Sequence, residues 1–211
     1  MSARIFIVDD HPLIREGLKK ILADERRFSI VGESPTGAGI AVQLGERRCD
    51  VLILDISLPD KGGLEVLGEI KKARPGTRVL VLSMHPEEGF AVRALENGAD
   101  GYLSKNCAPE QLVPALRTVL AGRKYVSRTL AQHLACRLQK TRPRKGHELL
   151  SPKEFQVLLR LGGGDTVTRA AAKMNLSVST LNTHRRHILK KLGLETSAEI
   201  IRYVVENGLR G

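Results

Sequence analysis

The chain has 211 residues, enough for one large or two modest domains, and its 42% hydrophobic content is that of an ordinary globular protein. No apolar run approaches the roughly 20 residues that cross a bilayer, and the N-terminal run Ile5 to Val8 stops at two aspartates rather than a cleavage site, so a cytoplasmic location is expected. The net charge of +11 is uneven: residues 1–121 carry 16 Lys/Arg against 17 Asp/Glu, whereas residues 122–211 carry 18 against 6.

That asymmetry predicts a near-neutral front domain and a rear domain facing a polyanion. With aromatics at 3%, stacking on unpaired bases is disfavoured and duplex nucleic acid fits better. The three cysteines (Cys49, Cys107, Cys136) show no C-x-x-C spacing, which supports neither a zinc site nor a disulfide framework.

In chain order, Arg4 to Asp9 reads as a strand and Leu13 to Leu22 as an amphipathic helix. Phe28 to Gly32 and Ala38 to Arg47 repeat that pair. Val51 to Leu54 is a continuous apolar run ending on Asp55, which suits a strand buried on both faces of a parallel sheet. Leu64 to Ala73 is a helix closed by Pro75-Gly76, Arg78 to Ser83 a strand, Gly89 to Asn97 a helix, Gly101 to Ser104 a short strand and Pro109 to Leu120 a helix. Five strands alternating with five helices predict an α/β fold with a doubly wound five-stranded parallel sheet.

Ligands of such sheets bind beyond the carboxyl ends of the strands. There the sequence places Asp9 and Asp10, Asp55, Ser83 and Lys105. Three carboxylates on one edge are costly without a cation, and hard oxygen ligands with room for water suit Mg²⁺ beside a phosphoryl group. Each residue taken singly is equally a solvated strand end.

As a set, with Gly98-Ala99-Asp100-Gly101-Tyr102-Leu103-Ser104-Lys105, these residues resemble the receiver domain of bacterial two-component response regulators over residues 3–121. The resemblance implies a flavodoxin-like fold with Asp55 as phosphate acceptor. It implies Mg²⁺ bound by Asp10, Asp55 and the Ser57 carbonyl, with Asp9 acting through water. Lys105 would pair with the phosphoryl oxygens, Ser83 would bond the phosphate and Tyr102 would swing inward behind it. Asp60 reads as a turn residue and His11 as a neighbour of the pocket, while His85 and Ser57 are expected to tune acyl-phosphate hydrolysis.

Past Gly122 the pattern changes. Thr129 to Leu138 fits a helix, and Gln139 to Gly146, with Lys140, Arg142, Arg144 and Lys145, reads as a basic tether. Residues 122–147 are thus a linker between a receiver at 1–121 and an output domain at 148–211. Ser151-Pro152-Lys153-Glu154 is a capping box opening a helix to about Leu161, which Gly162-Gly163-Gly164 ends and is expected to weaken. Helices follow at Thr168 to Met174, Ser179 to Leu192 and Ala198 to Asn207, a helix-turn-helix plan in a small all-α domain.

Leu150 to Leu158, Leu176-Ser177, Thr180 to His184 and Lys191-Leu192-Gly193 resemble the LuxR-type DNA-binding domain, and the whole chain is similar to the NarL/FixJ class of response regulators. The resemblance implies a recognition helix at Val178 to Leu192. Asn182, Thr183 and Arg186 would meet bases, and Arg185, His187 and Lys190 would meet phosphates. Ala170-Ala171 and Met174 depart from the usual Ile-Ala and Leu, so looser packing is expected behind that helix. Asn182 stands where Lys is frequent, and Asn pairs with adenine, so operator preference does not transfer from relatives.

The implied function is a transcription regulator, not an enzyme, phosphorylated on Asp55 by a sensor histidine kinase and binding promoter DNA as a homodimer, with no membrane partner. An aspartyl phosphohydrolase would place a second acid two residues after Asp55, where Ser57 stands. A DNA-binding protein with a degenerate receiver would not keep the full acidic set.

Overall fold

The structure, a computed structural model, describes residues 2–84, 87–106, 109–139 and 146–209. The chain divides into two compact units between Gln132 and His133. In the first, β1 (Ala3–Val8), α1 (Pro12–Ala23), β2 (Phe28–Ser34), α2 (Ile40–Arg47), β3 (Val51–Asp55) and α3 (Gly63–Ala73) follow one another. Then come β4 (Arg78–Ser83), α4 (Glu87–Glu96), β5 (Gly101–Ser104), a 3-10 turn (Pro109–Gln111) and α5 (Leu112–Leu120). The expected alternation is present throughout.

All four strand pairings are parallel, in the order β2-β1-β3-β4-β5. Chain direction across the sheet therefore reverses between β1 and β3, and the crevice there opens at their carboxyl ends. Every residue of β3 is buried, which is why its sequence is a continuous apolar run rather than an alternating one. One face of the sheet (Ile5, Ile7, Val51, Ile53, Leu80, Leu82, Leu103) packs on Leu18 and Leu22 of α1 and on Leu112, Ala115, Leu116 and Val119 of α5.

Two boundaries move for local reasons. β2 continues to Ser34 because it stays paired with β1 as far as Val8. α2 starts at Ile40, not Ala38, because Gly39 takes the left-handed region (φ 68°) and the Ala38 N–H is donated to Asp60. The segment after Gly122 returns to the sheet edge. Tyr102 N–H donates to the Tyr125 carbonyl (3.0 Å) and Tyr125 N–H to the Asp100 carbonyl (2.9 Å).

α6 (Arg128–Gln139) spans the division. The second unit contains α7 (Pro152–Gly162), α8 (Val167–Lys173), α9 (Val178–Leu192) and α10 (Ser197–Glu206) after a 3-10 turn at Gly146–Leu149. Phe155, Leu158, Leu181, Ile188, Ile200 and Val204 form its buried interior. His85, Cys107 and the tether residues Lys140, Arg142, Arg144 and Lys145 lie outside the described residues. No helix among the described residues is long and apolar enough to cross a membrane.

Cys49 is partly buried, and burial pushes its thiol up to about 12.

Candidate functional site

The first site lies at the reversal of the sheet. Asp55 ends β3 and Asp9 follows β1, each with a side chain only 1% exposed, and Lys105 follows β5 with its side chain 2% exposed. Lys105 Nζ lies 2.7 Å from Asp9 Oδ2 and 2.7 Å from Asp55 Oδ2, with an aligned hydrogen bond to the latter. The backbone holds this lysine in place: its N–H donates to the Ser83 carbonyl at the end of β4 (2.8 Å).

Asp55 Oδ1 accepts the Ser57 N–H (2.9 Å), and Asp9 Oδ1 accepts the His11 N–H (2.9 Å). Burial pushes the Asp55 carboxyl above its usual range, and so does the Asp9 charge. The bonds from Lys105 and Ser57 act against that rise.

Asp10 completes the acidic set. His11, at the exposed rim, has Nδ1 2.7 Å from Asp10 Oδ1 and 3.3 Å from Asp9 Oδ1. One potential ligand atom from each of Asp9, Asp10, His11 and Asp55 lies within 4.8 Å of the others. Asp9 Oδ2 and Asp10 Oδ1 are buried oxygens that accept no aligned hydrogen bond among the described residues, although a nitrogen lies close to each. A cluster of potential ligand atoms that close together, three of them carboxylate oxygens, fits a hard divalent cation such as Mg²⁺.

Ser83 and Tyr102 are fully buried. Val81 of β4 pairs with Tyr102 of β5, so Ser83, two residues on, shares the sheet face of Tyr102. The serine expected at the pocket and the tyrosine expected behind it are diagonal neighbours on one face.

Two further residues shape the loops. A Cβ on Gly63 would lie 2.3 Å from the Asp55 carbonyl oxygen and 2.5 Å from Ile56 Cα, so only glycine lets α3 start against the end of β3. Asp60 does more than occupy a turn. Its carboxylate accepts the N–H groups of Gly37 (3.0 Å) and Ala38 (2.9 Å), tying the loop before α2 to the loop after Asp55. Asp60 is 23 residues from Gly37, and local turn chemistry does not reveal such a bond.

The second site is α9. Ser177 caps it by accepting the Thr180 N–H, and Gly193 ends it in the left-handed region (φ 66°). Leu181 and Ile188 are buried. At 100° per residue, Thr183, Arg186 and Lys190 fall on the opposite side and are exposed, with exposed His187 and half-buried Asn182 at its two edges. Arg185 does not join them: its Nε donates to Ser197 Oγ at the start of α10 (2.8 Å). The interior residues Ala170 and Ala171 of α8 are buried, as is Met174.

Behind α9 stands Glu154 of α7, buried at the side chain. It accepts the Ser151 N–H (2.7 Å) in the expected capping box and also Lys191 Nζ (2.6 Å), while His187 Nδ1 lies 3.7 Å from Oε1. Burial alone would raise its carboxyl, but the bonds from Lys191 and Ser151 outweigh burial and hold it below the usual glutamate range. The capping box was legible in sequence; the second partner, 37 residues away, was not. The first glycine of the run is the last residue of α7. Gly162 packs where a Cβ would lie 2.3 Å from Val204 Cγ2, so α7 and α10 approach closely because of it.

Comparison with known proteins finds two families. Residues 5–117 match the response regulator receiver domain, and residues 148–204 match the bacterial regulatory proteins of the luxR family. The response regulator GacA of Pseudomonas viridiflava is 33% identical over 209 residues, covering 98% of this chain and 97% of that protein. The response regulator UvrY of Escherichia coli K12 is 32% identical over 208 residues, covering 97% and 94%. Among solved structures, RcsB of Salmonella enterica serovar Typhimurium, bound to promoter rprA in the presence of the phosphomimetic BeF₃⁻, superposes with a TM-score of 0.73. It is 27% identical and covers 97% of this chain and 99% of that one.

Proposed function

We propose the following chemistry on the premise that the chain belongs to the two-component response regulators of the NarL/FixJ class, a receiver joined to a LuxR-type helix-turn-helix domain. It is a phosphorylation-controlled transcription regulator. Receiver function is assigned to residues 1–121, the join to 122–147 and DNA binding to 148–211. The two family matches, at 5–117 and 148–204, support that division.

Asp55 is the acceptor. An Asp55 carboxylate oxygen attacks the phosphorus of a phosphohistidine on the sensor kinase. The P–O bond forms as the P–N bond breaks, and the imidazole leaves to take up a proton. The observation that carries this is the Lys105 ammonium held 2.7 Å from both buried carboxylates. A lysine so placed meets the incoming phosphoryl oxygens without reorganising. Ser83, beside it at the end of β4, donates to the same oxygens.

Asp10, Asp55 and the Ser57 carbonyl would hold Mg²⁺, with Asp9 one water away. Bound there, the ion supplies positive charge to the transferring phosphoryl oxygens. Ser57 stands where a phosphohydrolase would carry its general acid, so no side-chain carboxyl is offered to a leaving group at that position. The protein accepts a phosphoryl group and keeps it, rather than turning over esters.

Moving a two-state protein from 1:99 to 99:1 takes about 5.5 kcal/mol. Two or three new bonds to a phosphoryl group, at about 1.5–3 kcal/mol each, supply that. Ser83 moves with the phosphate, and Tyr102 on the same face follows. The phosphorylated form dimerises and lays α9 in the major groove of a two-half-site promoter. Asn182, Thr183 and Arg186 read bases, with His187 and Lys190 on phosphates. Arg185 serves the α9–α10 contact first, and its remaining guanidinium nitrogens are those offered to phosphate. The protein works in the cytoplasm.

Incubation with a small acyl phosphate and Mg²⁺, followed by peptide mass spectrometry, tests the acceptor. One phosphoryl group on the peptide containing Asp55, absent from Asp55→Asn, is expected. Modification at another residue would refute it.

A further inference from the structure

We propose that Arg15 is a positioning residue for the acidic pocket, holding the Asp9–Asp10 main chain in the geometry that receives the divalent cation. The proposal rests on the reading of that pocket as a Mg²⁺ site.

Arg15 lies in the first turns of α1, and its side chain is only 15% exposed. Its Nη1 donates to the Asp9 carbonyl at 2.7 Å. Its buried Nε makes no aligned hydrogen bond among the described residues and faces Glu33 Oε2 at 3.6 Å. Glu33 sits on β2 in register with Ile7, and the next residue, Ser34, accepts the Asp9 N–H through its carbonyl (3.1 Å). The Asp9 main chain is therefore gripped on both sides, by Ser34 at its N–H and by Arg15 at its carbonyl.

The carbonyl of Asp9 belongs to the peptide plane that leads into Asp10, so fixing it orients the Asp10 backbone and the direction of its carboxylate. Ordinary helix capping does little here. His11 caps α1 without a side-chain bond, and Pro12 has no N–H to offer. Arg15 reaches back over that weak point.

The field of Arg15 and its grip act with opposite signs. A guanidinium beside an acidic pocket repels a divalent cation, so removing the charge alone tightens Mg²⁺ binding. Removing the grip loosens the ligands and weakens it. Outer partners of metal ligands are worth about tenfold or more in affinity. Neutralising Arg15 strands no charge, because Lys19 Nζ already lies 3.2 Å from Glu33 Oε2.

The test uses the full chain and Mg²⁺ alone, followed by calorimetry and by the amide resonances of residues 9–11. Arg15→Gln is expected to weaken Mg²⁺ binding about tenfold and to shift the metal-free amide resonances of Asp10 and His11. Arg15→Lys, which keeps one donor for the same carbonyl, is expected to recover part of the affinity. Should Arg15→Gln fold poorly, Glu33→Gln removes the charge that faces Nε without touching the pocket, and a smaller weakening is expected.

Unchanged or tighter Mg²⁺ binding in Arg15→Gln overturns the proposal, as does an equal loss in the Gln and Lys variants. Asp10→Asn tests the underlying reading separately. If it binds Mg²⁺ as the native chain does, the pocket assignment fails, whatever Arg15 does.

Discussion

Replacing Lys105 by methionine removes one ammonium from between two buried acids. The side chain is 2% exposed, and both partners, Asp9 and Asp55, are 1% exposed. Methionine is of similar length, so packing changes little and the effect is mainly electrostatic. Breaking a buried pair costs about 3–5 kcal/mol when the remaining charge has no partner. The folded protein has a way to limit that cost, which is to protonate one of the two acids. Doing so costs about 1.4 kcal/mol for each pH unit above that acid's pKa.

Burial already pushes Asp55 up against the pull of Lys105, so without the lysine its carboxyl rises further. The folded variant then binds more protons than its unfolded chain, and its stability rises as the pH falls. Urea unfolding of the full chain is expected to show the first unit destabilised by about 3 kcal/mol at pH 7.5, with the gap from the native chain shrinking toward pH 5. Millimolar Mg²⁺, replacing the lost positive charge, is expected to restore part of the difference. A loss independent of both pH and Mg²⁺ would refute the electrostatic reasoning and make Lys105 a packing residue.

Other expectations follow from single contacts. Gly63→Ala forces a Cβ to within 2.3 Å of the Asp55 carbonyl oxygen and 2.5 Å of Ile56 Cα, both main chain. It should lower stability by about 1–3 kcal/mol and slow acyl-phosphate labelling of Asp55. Gly68→Ala on the same helix meets nothing within 4 Å and should gain up to about 1 kcal/mol by chemical denaturation. Glu154→Gln should cost about 1–2 kcal/mol at pH 7. Because the folded Glu154 carboxyl is depressed, its contribution is full above the ordinary glutamate pKa and is lost as pH falls below it, so native and variant curves should converge in acid. Arg186→Ala should weaken operator binding by about 1–3 kcal/mol with stability unchanged. Arg185→Ala should instead lower the thermal midpoint of the second unit, because its bond to Ser197 joins α9 to α10.

What the sequence discloses and what it hides divide along a physical line. Strand ends are legible because an apolar run stopping at a carboxylate marks both the element and its edge. The positions of Asp9 and Asp55 at one end of the sheet follow from that, and the parallel order β2-β1-β3-β4-β5 brings Ser83 and Lys105 to the same end. Helix starts such as Ser151 are legible because the capping box is local, with donor and acceptor three residues apart.

Hidden are contacts set by side-chain direction across elements. Arg15 reads as one more cation on an amphipathic helix until its Nη1 is seen on the Asp9 carbonyl. Asp60 reads as turn chemistry, although its oxygens bind a loop 22 and 23 residues earlier. Arg185 sits in a basic stretch with Arg186, and only the rotation of α9 separates a residue facing α10 from one facing solvent. Gly162 reads as a helix breaker because its packing partner, Val204, belongs to another helix.

The coupling of Asp55 to DNA binding is the central claim. Operator affinity of the full chain, with its mass in solution, should be measured with and without a small acyl phosphate and Mg²⁺, for the native protein and for Asp55→Asn. The native protein should bind more tightly and shift from monomer to dimer with the phosphodonor, and Asp55→Asn should do neither. An Asp55→Asn protein that responds to the phosphodonor as the native one does would contradict the account.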